Sequence, residues 1–247
     1  MPLTAIRGVT LAVPDMPRAL AAFAQVLPPD PVAGRLADSR ALGLGRSDLA
    51  GAASATLDDW LTLVESAQAP AGRQRRPAGW ASLALPMADA AWRAVQSSDH
   101  WRAIDESRCL LDGVGHFVLL CSPDARREVG LVVPNAAAAA AYYAGLGVPA
   151  IRADGAGSRI GELAQGDRVR FIQDSGALPS DAPCLGIVLV SLARSQPGLA
   201  PVAPRLLAGA TGERLELVQQ LHGAHPASVL GESPGRPRRC ACSRIEP

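Results

Sequence analysis

Val9-Thr10-Leu11-Ala12-Val13-Pro14-Asp15 returns 120 positions later as Val129-Gly130-Leu131-Val132-Val133-Pro134-Asn135, and this pair of heptads decides how the chain is read. Self-similarity at a fixed offset is the mark of a repeated supersecondary unit. Each copy is a β-branched and aliphatic run of strand length, closed by Pro-Asp or Pro-Asn, a combination that ends a strand and opens a helix. Helical spacing follows at once. Pro17 to Val26 sets Leu20 and Phe23 on one face, and Ala136 to Leu146 sets Tyr143 and Leu146 there. Phe23 and Tyr143 hold the same place in the repeat, as aromatic anchors of helix on sheet or, alternatively, as ligand contacts.

A weaker copy follows each strong one. Trp80 to Leu85 and then Met87 to Val95 repeat strand and helix, while Leu185 to Val190 repeats the strand before Pro197, Pro201 and Pro204 break what comes next. Each unit ends in an alternating strand: Trp60 to Glu65, His116 to Cys121, Arg168 to Gln173 and Glu213 to Gln219. Four βαβββ modules therefore span about residues 5–66, 79–122, 127–174 and 184–221. The spacing predicts an N-terminal domain over 1–124, a C-terminal domain over 125–230 and a disordered tail over 231–247. Ala67 to Pro77 and Ser175 to Pro183 read as linkers between modules, and the halves meet near Pro123 to Arg127. The expected fold class is α+β, with mixed sheets.

Composition sets limits on function. The 247 residues are 48% apolar and 19% charged with a net charge of +1, a globular balance without a long-range field for nucleic acid. The basic residues are all arginine, which removes Schiff-base and P-loop lysine chemistry. No export signal or membrane-spanning run is read from the N-terminus or the apolar stretches, and five cysteines without framework spacing suit a reduced, cytoplasmic compartment. Cys240 and Cys242 fall in the tail. His100 is placed in a turn facing solvent and His116 at the start of a closing strand, and His222 with His225 has the i, i+3 spacing found in metal sites. Gly43-Leu44-Gly45 reads as a strand-edge turn, and Ser122 and Ser191 have no visible His and Asp partners for nucleophilic catalysis.

Arg7 to Phe23 resembles the opening strand and helix of a module of the vicinal oxygen chelate superfamily, the glyoxalase, bleomycin-resistance and extradiol dioxygenase proteins. Arg127 to Pro134 with Tyr142-Tyr143-Ala144-Gly145-Leu146-Gly147 resembles a second, and Gly209 to Val218 is similar to the family's closing strand. The resemblance implies modules paired into cupped, barrel-like sheets, whose first and last strands turn metal ligands inward. Its ligand positions would fall at Gly8, near Trp80, at Glu128 and near Leu185 on first strands, and at Thr62, Leu119, Arg170 and Glu216 on closing strands. Pairing consecutive modules gives one cup with Gly8, Trp80, Thr62 and Leu119, which is no ligand set. The other carries Glu128, Arg170 and Glu216 beside Leu185, and lacks the imidazoles of non-haem iron chemistry. No cofactor is expected, and a divalent metal finds no support in these positions.

Two carboxylates and a guanidinium in one half-closed sheet suit proton transfer, with the charge separating the acid from the base. The sequence thus points to a glyoxalase-like lyase, isomerase or epimerase acting on a small carbonyl or hydroxy metabolite. Its catalytic residues would be Glu128, Glu216 and Arg170, with Trp60, Trp80 and Tyr143 binding substrate. Glu128 and Arg170 read equally as a structural ion pair. One alternative is a metal-free protein that sequesters a small molecule in an apolar cavity lined by Trp60, Trp80 and Trp92 or Trp101, in the bleomycin-resistance manner. Another is a metal-dependent dioxygenase-like relative. The expected partner is a small molecule, with no nucleic acid or membrane, and the chain is a monomer or homodimer.

Overall fold

A computed structural model describes residues 2–27, 30–67, 78–114, 117–122, 126–155, 157–177, 185–195 and 203–220. Cys184, His116, His222, His225, the tail and most of both linkers lie outside the described residues.

The first module comprises β1 (Leu3–Val13), α1 (Met16–Phe23), β2 (Val32–Arg35), α2 (Asp38–Gly43), a 3-10 turn at Ser47–Leu49, β3 (Ala53–Leu57) and β4 (Leu61–Glu65). The second has β5 (Gly79–Pro86), α3 (Asp89–Gln96), β6 (Trp101–Asp105), β7 (Arg108–Leu111) and β8 (Val118–Ser122). In the third are β9 (Glu128–Val133), α4 (Ala136–Leu146), β10 (Arg152–Ala153), β11 (Arg159–Glu162) and β12 (Arg168–Gln173). The fourth contributes β13 (Gly186–Ser195), β14 (Arg205–Ala208) and β15 (Arg214–Gln220).

The repeated heptads do the same work twice. Asp15 and Asn135 adopt nearly the same extended backbone, and each side chain accepts the N–H three residues on, from Arg18 at 3.0 Å and from Ala138 at 2.9 Å. Each cap satisfies one of the free N–H groups at its helix start. α4 then stops at Gly147, whose positive φ of 110° suits a residue without a side chain.

The modules pair differently from the consecutive order expected. One sheet has seven strands in the order β14-β15-β13-β1-β4-β3-β2, joining modules one and four. The other has eight, β10-β11-β12-β9-β5-β8-β7-β6, joining two and three. β1 runs antiparallel to β13, and β5 antiparallel to β9, so every sheet crosses the expected boundary at 124–125. The first and closing strands of each module pair in parallel, as in β1 with β4 and β9 with β12. Among the described residues neither sheet closes into a barrel, and each has two edge strands.

One face of each sheet, with α1, α3 and α4, contributes to a common core. Val9, Leu11, Leu83, Val129, Leu131, Phe171, Val190 and Leu215 all belong to it. Phe23 packs edge-on to Trp101 at 5.3 Å, and Tyr143 lies 6.1 Å from Trp80 and 5.2 Å from Phe171. All four tryptophans sit in this core, and each indole N–H donates to a backbone carbonyl of another element: Trp60 to Ile6, Trp80 to Arg214, Trp92 to Glu106 and Trp101 to Ala22. Burying an indole requires such a partner, so these residues weld strands and helices together. No helix among the described residues is long and apolar enough to cross a membrane.

Candidate functional site

The opposite face of each sheet forms a cup, and period-2 alternation decides what enters it. In the eight-stranded sheet, Glu128, Gly130, Arg168, Arg170, Ile172, Ser82, Ala84, Val118 and Leu120 face away from the common core. Their strand neighbours Val129, Leu131, Val169, Phe171, Leu83 and Leu119 enter it. Register places Arg170 beside Gly130, Gly130 opposite Ser82, and Ser82 beside Val118. A Cβ on Gly130 would fall 2.0 Å from Ser82 Oγ, so a side chain there would displace that hydroxyl and crowd the floor of this cup.

On one wall, Arg170 donates through Nε to Glu128 Oε1 at 2.6 Å and through Nη2 to Oε2 at 3.2 Å. Its Nη1 donates to Asp154, which follows β10. Two carboxylates thus share one guanidinium. They differ in access: the Glu128 side chain is 10% exposed, Asp154 36% and Arg170 33%. The opposite wall is apolar, with Val118 buried and Leu120 half-buried. Ile172 and Val132 join Ala78, Ala81 and Ala177 in a small apolar cluster.

The seven-stranded cup is filled. α2 and the following 3-10 turn lie over it, packing Leu36, Ala41, Leu44 and Leu49 onto Val64 and Leu189. Glu216, on β15, accepts Ser191 Oγ at 2.6 Å and a two-pronged contact from Arg40, Nη1 to Oε1 at 3.2 Å and Nη2 to Oε2 at 3.1 Å. Its side chain is 6% exposed. Farther along the same insert, Arg46 grips Asp48 with Nε at 2.8 Å and Nη2 at 2.9 Å, and Ser66 donates to Asp48. That guanidinium holds the Asp48 carboxyl below its ordinary value against the opposing effect of burial.

Of the expected catalytic set, Glu128 and Arg170 are in contact, whereas Glu216 lies on the other sheet, because module four pairs with module one. Asp154 takes the place expected for Glu216 beside Arg170. The expected substrate contacts Trp80 and Tyr143 are core residues, at 7% and 0% exposure. Burial and the nearby Glu213 carboxylate push the Tyr143 phenol well above its ordinary value. Trp80 and Leu119 turn toward the core rather than into a cup, Leu185 precedes β13, and Gly8 and Thr62 lie in the filled cup beside Ser191 and Thr10 respectively. Trp60 is also buried, with its edge on a cleft of about 520 Å³ that Leu85, Pro86, Arg126, Arg127 and Asp167 line as well. The Arg127 guanidinium stands 5.2 Å from the centre of the Trp60 ring.

Sequence reading missed Arg40, Asp154 and the α2 insert. Gly43-Leu44-Gly45 ends that helix rather than turning at a strand edge. Only the Asp38-Ser39 start hinted at it, and a six-residue helix carries too little periodicity to read. His100 is half-buried, not solvent-facing. Among the described cysteines, Cys109 and Cys121 are free thiols whose values burial pushes up, leaving them poor nucleophiles.

The resemblance to the vicinal oxygen chelate superfamily implies a divalent metal on the inner strand faces, and the described residues do not fit one. Among the described residues no three His, Cys, Asp or Glu side chains gather. Glu128 and Glu216 are each already matched by an arginine fork, a contact that leaves their oxygens facing a fixed cation.

No family profile and no curated protein sequence matches this chain. Its fold matches solved structures. A candidate dioxygenase from Bacillus subtilis is similar over 88% of this chain and 86% of its own, with a TM-score of 0.57 at 10% identity. A single-substitution mutant of glyoxalase I from Zea mays is similar over 87% and 92%, with a TM-score of 0.57 at 12% identity. The architecture is that of the vicinal oxygen chelate fold, built here as two cupped mixed sheets from four modules.

Proposed function

We propose that this chain is a metal-independent small-molecule-binding protein whose ligand sits in the cup of the eight-stranded sheet. The observation that carries the reading is the Arg170 fork shared by Glu128 and Asp154, beside a floor kept low by Gly130, Ser82 and Ala84. A concave surface with an apolar wall and a few fixed polar groups is the usual form of a ligand site. Glu128 is held rigid, while the more exposed Asp154 and the outer edge of Arg170 are left to meet a hydroxyl, carbonyl or amine. The glyoxalase I and dioxygenase likenesses support a cup of this kind and do not choose a chemistry.

A second reading is proton transfer next to a carbonyl, in a lyase, isomerase or epimerase step. It is favoured by the unequal exposure of the two carboxylates on one guanidinium, with Asp154 as the group that reaches the substrate. Glu128 and Arg170 keep the roles expected of them, and Glu216 drops out.

The test is a metabolite screen by native mass spectrometry on metal-stripped protein, followed by NMR of any ligand retained. The binding reading expects a stoichiometric ligand released unchanged, with retention lost in Arg170→Ala. Release of an altered ligand would decide for proton transfer, and retention that requires added divalent metal would refute both.

A further inference from the structure

The filled cup of the seven-stranded sheet contains a cation site that is already occupied from within. Glu216 is buried and faces away from the common core, Ser191 fixes one of its oxygens, and both oxygens meet the two Nη groups of Arg40. We infer that this cup is a guanidinium-recognition site, with Arg40 as its resident ligand, delivered by α2.

Three features support the assignment. The contact is two-pronged, one Nη to each carboxylate oxygen, a shape that a point charge such as an ammonium or a metal ion does not share. The anion is prepared independently of the cation, because Ser191 comes from β13 in the fourth module and holds Glu216 from its own sheet. The cation arrives on a separate element, 176 residues away in sequence, and that helix and its flanks are held by apolar contacts through Leu36, Ala41 and Leu44. Receptor and occupant are thus separable. Removal of the side chain should leave a socket for an external guanidinium or amidinium compound. In the intact protein the tethered group outcompetes such a compound through its high effective concentration.

The experiment is chemical complementation of the full chain. Arg40→Ala should lower the thermal midpoint by at least about 4 °C, since a buried carboxylate loses its partner. Millimolar methylguanidinium should restore the midpoint with a saturable dependence. The neutral isostere N-methylurea should not, and neither should methylguanidinium added to wild type or to Arg40→Ala/Glu216→Gln. Restoration by divalent metal instead would overturn the assignment, as would restoration that survives Glu216→Gln. Arg40→Lys, which keeps the charge and the fold, gives an independent arm: an intermediate midpoint is expected, and a midpoint equal to wild type would show recognition of charge alone and reject the proposal. Because this cup is separate from the one that holds Glu128, either outcome leaves the ligand reading of the eight-stranded sheet to its own test.

Discussion

The Tyr143 hydroxyl donates to Glu213 at 2.6 Å, and this bond ties the helix of module three to the last hairpin of module four. Glu213 also accepts from the backbone N–H groups of Ala210 and Thr211 and from the Thr211 hydroxyl, so one carboxylate organises the whole turn. The approach is so close that a Cβ on Gly209 would fall 1.8 Å from Glu213 Oε1. Tyr143→Phe should cost about 1–3 kcal/mol, the usual range for a buried hydrogen bond whose acceptor stays behind. Gly209→Ala should cost more, since turn and carboxylate must both shift. Urea unfolding curves of the two variants against wild type check the order.

The same tyrosine sets the alkaline limit. Its phenol is held well above the ordinary value of 10.0 in the fold. Between the unfolded and folded values the unfolded chain has released the proton and the native chain has not, so stability falls as pH rises through that window. Stability measured from pH 9 to 11.5 should decline in wild type and decline less in Tyr143→Phe. Parallel curves would refute the assignment.

Removal of Arg170 should cost more than removal of Asp154. Arg170→Ala strands the Glu128 carboxylate, which is 10% exposed, whereas Asp154→Ala leaves Arg170 paired with Glu128 and open to water. The expected losses are about 2–4 kcal/mol against less than about 1, from the contrast between buried and exposed pairs. Glu128→Gln should fall between them. Calorimetric midpoints rank the three.

Acid should loosen the insert over the seven-stranded cup. The Asp48 carboxyl is held below 3.8 chiefly by the Arg46 fork, so its contribution is complete above that value and is lost as pH falls through the folded one. Asp48→Asn should flatten the acid limb of the midpoint curve between pH 5 and 2. In the β6–β7 hairpin, Arg108 and the Ser107 N–H hold Asp105 at about 2, so this turn should keep its charge to lower pH. Carboxylate chemical shifts followed by NMR would separate the two.

The repeat was legible because it is local. A strand ending in Pro-Asp or Pro-Asn, with a cap bonding three residues on, needs no distant partner, and both copies form as expected. α4 runs over the expected Ala136 to Leu146, and closing strands appear at Leu61–Glu65, Val118–Ser122, Arg168–Gln173 and Arg214–Gln220. Glu128 and Arg170 were also within reach, since they lie in neighbouring strands of one module whose register follows from the repeat.

Module pairing was not legible. A free first strand offers the same backbone edge to any other module, and alternating apolar residues fit each partner alike. The sequence alone therefore determined the strand segments of the units, the capped helices of modules one and three, and the turning of Glu128, Arg170 and Glu216 away from the core. Only the folded chain decided which cup each entered, because β1 chose β13 and β5 chose β9. That choice carried Glu216 to Arg40 and left Glu128 to share its arginine with Asp154. Contacts between residues far apart in sequence depend on the packing of every module at once, and no local pattern encodes them.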